Sequence, residues 1–308
     1  MKNAIIYYYG LQIKEIIHKD DKYFFECFNT KYLFEPFNRP IEDIESLYKL
    51  NKEMINNDIF VHEIILNKEN KILTYVNNIS YILLEVSINK EAKITLPNIC
   101  YINNNSINIK CDDILNRTDW ITLWQIKNDY FESQINEIGA KYPNLSSYAN
   151  YYIGLAENAI IYVREVLNLN DITYKCVSHK RINSKGNLYE LYHPNSFIYD
   201  YRVRDASEYI KSAFFNNEDV YKLLNEYFQN NYLSYKEALL FYGRLLYPSY
   251  FFDMYDDIIN NNLNEKLIEK VILKSDLYEK FLAYVYNYLT NLYNTYIPGI
   301  DWIIKRRY

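Results

Sequence analysis

Apolar and polar residues alternate along the first part of the chain, with the two-residue period of strands that are buried on one face. The alternating runs are rich in aromatic and β-branched residues, and short polar breaks such as residues 19–21 separate them. From residue 41 the spacing becomes helical, because Pro40 precedes an apolar stripe that includes Ile41, Ile44 and Leu47. We predict one helix over residues 41–55 and antiparallel strands over residues 11–20, 22–28, 31–36, 60–67, 71–76 and 81–86.

Apolar positions in the second part recur every three to four residues, which is the period of helices packed on one face. Residues 103–108 are polar and interrupt the chain before this region. We expect Tyr148 and Tyr152 on the inner face of one helix, where small residues such as Gly154 would allow close packing. The predicted helices cover residues 119–138, 145–167, 205–215, 217–228, 235–246 and 265–293, and short strands cover residues 172–179 and 197–199.

These elements predict an α+β protein with two parts. Residues 1–89 form a small antiparallel sheet with one helix, and residues 90–308 form a mostly helical domain. The boundary is expected near Ser87–Asn89.

Composition narrows the possible functions. Hydrophobic residues make up 49% of the 308, so a sizeable core can be buried. The net charge is -5 and no basic block exceeds residues 305–307, which argues against nucleic-acid binding. No apolar run approaches the ~20 residues of a membrane span, and the apolar start at residues 4–13 lacks a signal-peptide cleavage site. The four cysteines lack metal-ligand spacing and are expected to be reduced thiols of a cytosolic protein.

The segment from Ser196 to Tyr209 holds the strongest candidate for chemistry. A short apolar strand ends at Asp200, and a charged connection leads into a helix whose first turn contains Asp205. An acid at a strand end beside a helix N-terminus is a position that can hold a metal or a phosphate. The alternative is structural, with Asp200 in a hydrogen bond or in an ion pair to Arg202 or Arg204, and Asp205 capping the helix.

Three stretches resemble the kinase fold in its aminoglycoside phosphotransferase and choline kinase branch. They are YIGLAENAIIYV at residues 152–163, YDYRVRDASEYI at residues 199–210 and FYGRLLYPSYFFD at residues 241–253. Together they are most similar to the YutH-type spore coat proteins. This resemblance implies a two-lobed protein-kinase-like fold, with a sheet N-lobe over residues 1–89 and a helical C-lobe over residues 90–308.

Phosphoryl transfer in such a fold needs a strand lysine, a base and an asparagine metal ligand, the last two in the pattern H-x-D-x-x-x-x-N. If His179 anchors that pattern, the base position is Arg181 and the asparagine position is Gly186. A guanidinium stays protonated, and glycine has no side chain to bind a metal. The third strand has Glu35 and Pro36 at its working end instead of a lysine, and no glycine-rich phosphate loop precedes it.

The resemblance therefore implies a catalytically inactive pseudokinase associated with the spore coat, acting as a scaffold or interaction protein. We expect it to be made in the mother-cell cytoplasm and assembled with other spore coat proteins. His179, Asp200 and Asp205 are then vestigial site residues: Asp200 is a weak Mg²⁺ ligand, His179 a buried histidine bonded to the backbone, and Asp205 a loop anchor. No cofactor is expected. ATP and Mg²⁺ enter only if the chain is a phosphotransferase with an atypical site or a nucleotide-binding pseudokinase without turnover.

Overall fold

The computed structural model describes residues 1–86, 92–295 and 297–305. The chain divides into two compact units that interleave in sequence. Unit 1 contains residues 1–116, 176–181 and 185–200, and unit 2 contains residues 117–175, 182–184 and 201–308. The predicted boundary at Ser87–Asn89 lies outside the described residues.

The strands are β1 (Ile16–Lys19), β2 (Lys22–Cys27), β3 (Thr30–Pro36), β4 (Glu63–Ile65), β5 (Thr74–Val76), β6 (Ile79–Val86), β7 (Lys175–His179) and β8 (Phe197–Tyr201). The helices are α1 (Lys2–Tyr9), α2 (Ile44–Asn56), α3 (Leu96–Asn105), α4 (Trp120–Ile138), α5 (Pro143–Leu167), α6 (Leu188–Leu191), α7 (Arg204–Phe215), α8 (Val220–Asn230), α9 (Tyr235–Leu246), α10 (Ser249–Asn260), α11 (Glu269–Ile272), α12 (Ser275–Tyr293) and α13 (Asp301–Ile304). The predicted α+β architecture is confirmed.

Unit 1 is built on an antiparallel sheet in the order β1-β2-β3-β6-β4, with β5 also paired to β6. Helix α1 packs on one face, where Ile5 joins a buried cluster with Phe25, Phe34 and Leu83. Two-residue turns with positive φ connect the hairpins, as the right-handed strand twist requires. One of these turns places Phe28 at φ 49, although bulky side chains are strained in that region.

Unit 2 is helical and its core is largely aromatic. Trp124 of α4 stacks on Tyr247 at 4.2 Å, and Phe131 stacks on Phe252 at 4.3 Å between ring centroids. Helices α5 and α9 approach closely at Gly243, where an added Cβ would lie 2.6 Å from the Val163 side chain. These contacts pack α4, α5, α9 and α10 against one another within unit 2.

A buried ionic cluster ties α7 to the end of α9 in unit 2. The Lys211 ammonium donates to the carbonyls of Arg244 at 2.8 Å and Tyr247 at 2.9 Å, which are acceptors at the end of a helix. Glu208 lies 3.1 Å from Lys211 and 2.6 Å from Arg244. Burial raises the pKa of Glu208, but these cations outweigh it and hold the pKa well below its usual range.

Several sequence predictions are wrong in detail. Helices α1 and α3 were not predicted, and α3 includes part of the polar stretch at residues 103–108. The predicted helix over residues 265–293 is broken, because a 3₁₀ turn and α11 precede α12. Tyr148 is partly exposed, not on the inner face of α5. Gly154 faces open space, so the close approach occurs at Gly243 instead.

Candidate functional site

Side chains of β3 alternate between the two faces of the sheet, so Lys31, Leu33 and Glu35 share one face. Glu35 is the residue at the working end of this strand, and it is almost completely buried. The kinase-like fold needs a cation from the third strand to contact phosphates. Here that face of β3 ends in a carboxylate.

The Glu35 carboxylate is surrounded by partners within unit 1. Lys22 of β2 places its Nζ 3.0 Å from Oε2, and His193 places its Nε2 2.7 Å from Oε1. The Asn195 amide donates to Oε1 at 3.1 Å. Burial alone would raise the pKa of Glu35, but the charges of His193 and Lys22 outweigh burial and lower the pKa below 4.5. Glu35 is therefore an ionised group inside an ion-pair network.

A second ion pair ties the residues before β8 to the start of α2. Arg39 lies 2.7 Å from Asp43, and its guanidinium donates to the backbone carbonyl of Phe197 at 2.7 Å and to that of Asn195 at 3.2 Å. Both Arg39 and Asp43 are buried. Because Asn195 also contacts Glu35, the two ion pairs form one continuous polar layer beside the sheet.

A neutral histidine borders this layer. His62 is fully buried, its Nε2 lies 3.0 Å from the Tyr189 carbonyl, and its ring centroid is 6.1 Å from that of His193. Burial, followed by the nearby charge of His193, lowers the pKa of His62 to about 4. His62 therefore stays uncharged while His193 faces Glu35.

Three residues at or after the end of β7 were singled out in the sequence: His179, Arg181 and Gly186. His179 is buried, with its Nε2 2.7 Å from the Leu191 carbonyl and its ring against Phe197 at 5.5 Å. Arg181, at the base position, is exposed. Gly186, at the asparagine position, accepts a hydrogen bond from the Ile94 amide at 3.0 Å through its carbonyl. A vestigial role for His179 stays a prediction.

The two predicted acids near β8 belong to different units. Asp200 lies in β8 of unit 1 and is buried. In unit 2, Asp205 lies in the first turn of α7, not at the N-cap, and pairs with Arg204 at 3.1 Å. Arg202 pairs with Glu237 at 2.5 Å, and a structural role for Asp200 stays a prediction.

These residues do not fit a magnesium-nucleotide complex of the kinase kind. Mg²⁺ needs one or two carboxylates plus phosphate oxygens, and the metal-binding asparagine position is a glycine. Across residues 1–86, 92–295 and 297–305, no three His, Cys, Asp or Glu side chains cluster as metal ligands.

Within the same ranges, no helix is both long and apolar enough to cross a bilayer.

The N-terminal strands and the unusual residue at position 35 each have a signal in the sequence. The alternating pattern of residues 11–36 predicts the strands, and Glu35 stands where the fold needs a lysine. The partners His193 and Asn195 were missed, since they lie about 160 residues away along the chain.

Comparison with known proteins identifies one family and a relative within it. The family model described as "Spore coat putative kinase YutH" matches residues 2–285. The endospore coat-associated protein YutH of Bacillus subtilis (strain 168) is 26% identical over 174 residues, and the alignment covers 50% of each protein, so it spans half the length of that relative.

Solved structures show the same fold at low sequence identity. An aminoglycoside phosphotransferase from Alicyclobacillus acidocaldarius is similar with a TM-score of 0.63 and 11% identity, covering 94% of this chain and 97% of that one. A spectinomycin phosphotransferase, solved with ADP and spectinomycin, is similar with a TM-score of 0.55 and 14% identity, covering 87% and 90%. The kinase-like fold implied by the sequence is confirmed.

Proposed function

We propose that this chain, which belongs to the family described as "Spore coat putative kinase YutH", is a spore coat protein that binds partners and transfers no phosphate. In this proposal it is made in the mother cell and assembles with other coat proteins at the forespore surface. The observation that carries the proposal is the position of Glu35 and its pairing with nearby cations. Its carboxylate stands on the third strand, where the fold needs a lysine, and its charge is already balanced by Lys22 and His193.

The electrostatics support this assignment. A nucleoside triphosphate needs a cation on the face where Glu35 lies, but the cations there, Lys22 and His193, are already paired with the Glu35 carboxylate. Burial raises the pKa of Glu35, but His193 and Lys22 outweigh burial and lower it, so Glu35 does not release these cations by taking up a proton at neutral pH. The base position adds a second defect, since the guanidinium of Arg181 cannot accept a proton from a hydroxyl.

The direct test is a phosphotransfer assay with the purified protein, using Mg²⁺ and ATP with small amino and hydroxyl acceptors. We expect no Mg²⁺-dependent ATP consumption above the buffer rate, and we expect Asp200→Asn to behave like the wild type. Turnover that disappears in Asp200→Asn would overturn the proposal, because Asp200 is the acid that such chemistry would use.

A second candidate, a nucleotide-binding pseudokinase without turnover, is favoured by Lys22. Its side chain is 39% exposed while Nζ lies 3.0 Å from Glu35, so the ammonium is available to a phosphate from an adjacent strand. A ligand at about 100 times its Kd would stabilise the protein by about 2.7 kcal/mol. Such stabilisation is readily detected as a rise in Tm.

A thermal-shift screen separates the two candidates. Millimolar ATP, ADP and GTP are tested with and without Mg²⁺ on the wild type, on Lys22→Gln and on Lys19→Gln. Lys19 is the matched control, because it pairs opposite Lys22 in the β1–β2 hairpin and is exposed. Stabilisation that is lost only in Lys22→Gln would establish nucleotide binding, whereas no stabilisation in any variant favours the scaffold.

A further inference from the structure

Helix α4 has an apolar stripe on the face that points away from the core of unit 2. Its inner face is filled by Trp120, Trp124 and Phe131, which are buried. On the outer face, Leu123 is 41%, Ile126 is 62% and Tyr130 is 46% exposed. A surface helix normally has polar residues there, so three large apolar side chains on one line are unusual.

The spacing of these residues defines the shape of an occupant. Leu123, Ile126 and Tyr130 stand at positions i, i+3 and i+7, which is the spacing of anchors between two packed helices. They extend over two turns, or about 10 Å at 1.5 Å per residue. The same line continues through Ser133 to Glu137, whose carboxylate accepts a hydrogen bond from the Ser133 hydroxyl at 3.3 Å. The stripe therefore ends at an exposed acid.

The charges around the stripe are mostly negative. Asp129 and Glu132 are exposed along one side of α4. On the other side, the ammonium of Lys127 lies 3.5 Å from Asp253 and 3.8 Å from Asp256 of α10, so two carboxylates accompany that single cation. An apolar seam between acidic borders is complementary to an apolar seam between basic ones.

We infer that the outer face of α4 docks an amphipathic helix of a partner protein, with an apolar seam of two turns bordered by lysine or arginine. A second copy of this chain is disfavoured, because a two-fold contact would set Asp129 and Glu132 against the same acids. An anionic membrane surface is disfavoured for the same electrostatic reason. The inference goes beyond the proposed function and does not depend on it, since it concerns a surface remote in sequence from Glu35.

The test uses a labelled helical peptide of about five turns with leucine along one seam and lysine beside it, and a second peptide with glutamate in place of lysine. Fluorescence anisotropy measures binding to the full chain. We expect the lysine peptide to bind, the glutamate peptide not to bind, and added salt to weaken the complex.

Matched variants locate the contact. Ile126→Gln should weaken binding about tenfold, whereas Leu273→Gln, which alters a leucine that is 80% exposed elsewhere in unit 2, should leave it unchanged. Asp129→Asn should weaken binding and reduce its salt dependence, whereas Asp301→Asn, with the same change in net charge, should not. Circular dichroism confirms that each variant is folded.

Several results would overturn the inference. Equal losses in Ile126→Gln and Leu273→Gln, or equal binding of both peptides, would mean that the attraction is not located on α4. A dimer in sedimentation experiments that Ile126→Gln dissociates would identify a second copy as the occupant instead. Binding to vesicles of anionic phospholipid that requires Ile126 would identify a membrane surface instead.

Discussion

Replacing Glu35 with glutamine tests whether the ion-pair network beside β3 stabilises unit 1. The substitution keeps the size of the side chain and one oxygen that can accept from Asn195, but it removes the charge that faces Lys22 and His193. Because Glu35 itself is buried, water replaces only part of the lost attraction.

The expected cost follows from the burial of each partner. Removing one member of a buried ion pair costs about 3–5 kcal/mol when the remaining charge stays uncompensated. Two features reduce this value: Lys22 is 39% exposed and regains water, and the His193 side chain has a neutral form. We therefore expect a loss of about 2–3 kcal/mol in the free energy of unfolding at neutral pH.

The pH dependence has a definite sign. The pKa of Glu35 is below 4.5 in the folded state, whereas the unfolded chain has the ordinary value of 4.5. Its contribution is complete above pH 4.5 and is lost as the pH falls through the lowered folded value. The stability difference between wild type and Glu35→Gln should therefore shrink in acid.

Urea unfolding followed by circular dichroism, at neutral pH and at successively lower pH, measures both effects. Glu63→Gln is the matched control, because Glu63 pairs with Lys52 at 2.5 Å but both side chains are 35% exposed. That pair should contribute about 1 kcal/mol or less to the free energy of unfolding. The reasoning fails if Glu35→Gln costs no more than Glu63→Gln, or if its cost is constant with pH.

Three further predictions use the same unfolding measurement. Gly243→Ala should destabilise the protein by about 1–3 kcal/mol through the contact with Val163, whereas Gly154→Ala, in open space, should stabilise it by up to about 1 kcal/mol. Stability changes of the same sign in both variants would contradict the packing described. The free energy of unfolding should fall by roughly 3 kcal/mol between pH 6.5 and 4, because His62 takes up a proton in the unfolded chain but stays neutral in the folded protein, where its pKa is about 4. The same dependence on pH in His62→Gln would refute this. Phe28→Asn should stabilise by about 1 kcal/mol, because Phe28 is 85% exposed at positive φ, and a loss of stability would show that its ring packs.

Local patterns predicted the elements whose two faces differ in polarity. The strands of residues 11–36 and the helices α2 and α8 were predicted because one face is apolar and the other polar. Helix α1 was missed because its apolar residues and tyrosines leave no polar side to define a period. The break before α12 is fixed by tertiary contacts, since Lys274 donates to the Phe215 carbonyl at 2.6 Å, and periodicity cannot reveal such a contact.

The candidate site could be predicted only in part. The residue types at positions 35, 181 and 186 disagree with phosphoryl transfer, and that disagreement is visible without a structure. The network that occupies the site is not visible, because Glu35 meets His193 and Asn195 only after the chain has folded back. Neighbours so distant in sequence leave no periodic signal.

The interleaving of the two units has a consequence for synthesis on the ribosome. The last segments of unit 1, residues 176–181 and 185–200, emerge after the intervening stretch of unit 2 at residues 117–175. At about 5–20 residues per second, residue 200 follows residue 116 by roughly 4–17 s. During that interval Glu35 lacks His193, and Arg39 lacks the carbonyl acceptors of residues 195 and 197. The nascent sheet therefore has only the nearer half of each network, Lys22 for Glu35 and Asp43 for Arg39, until β8 arrives.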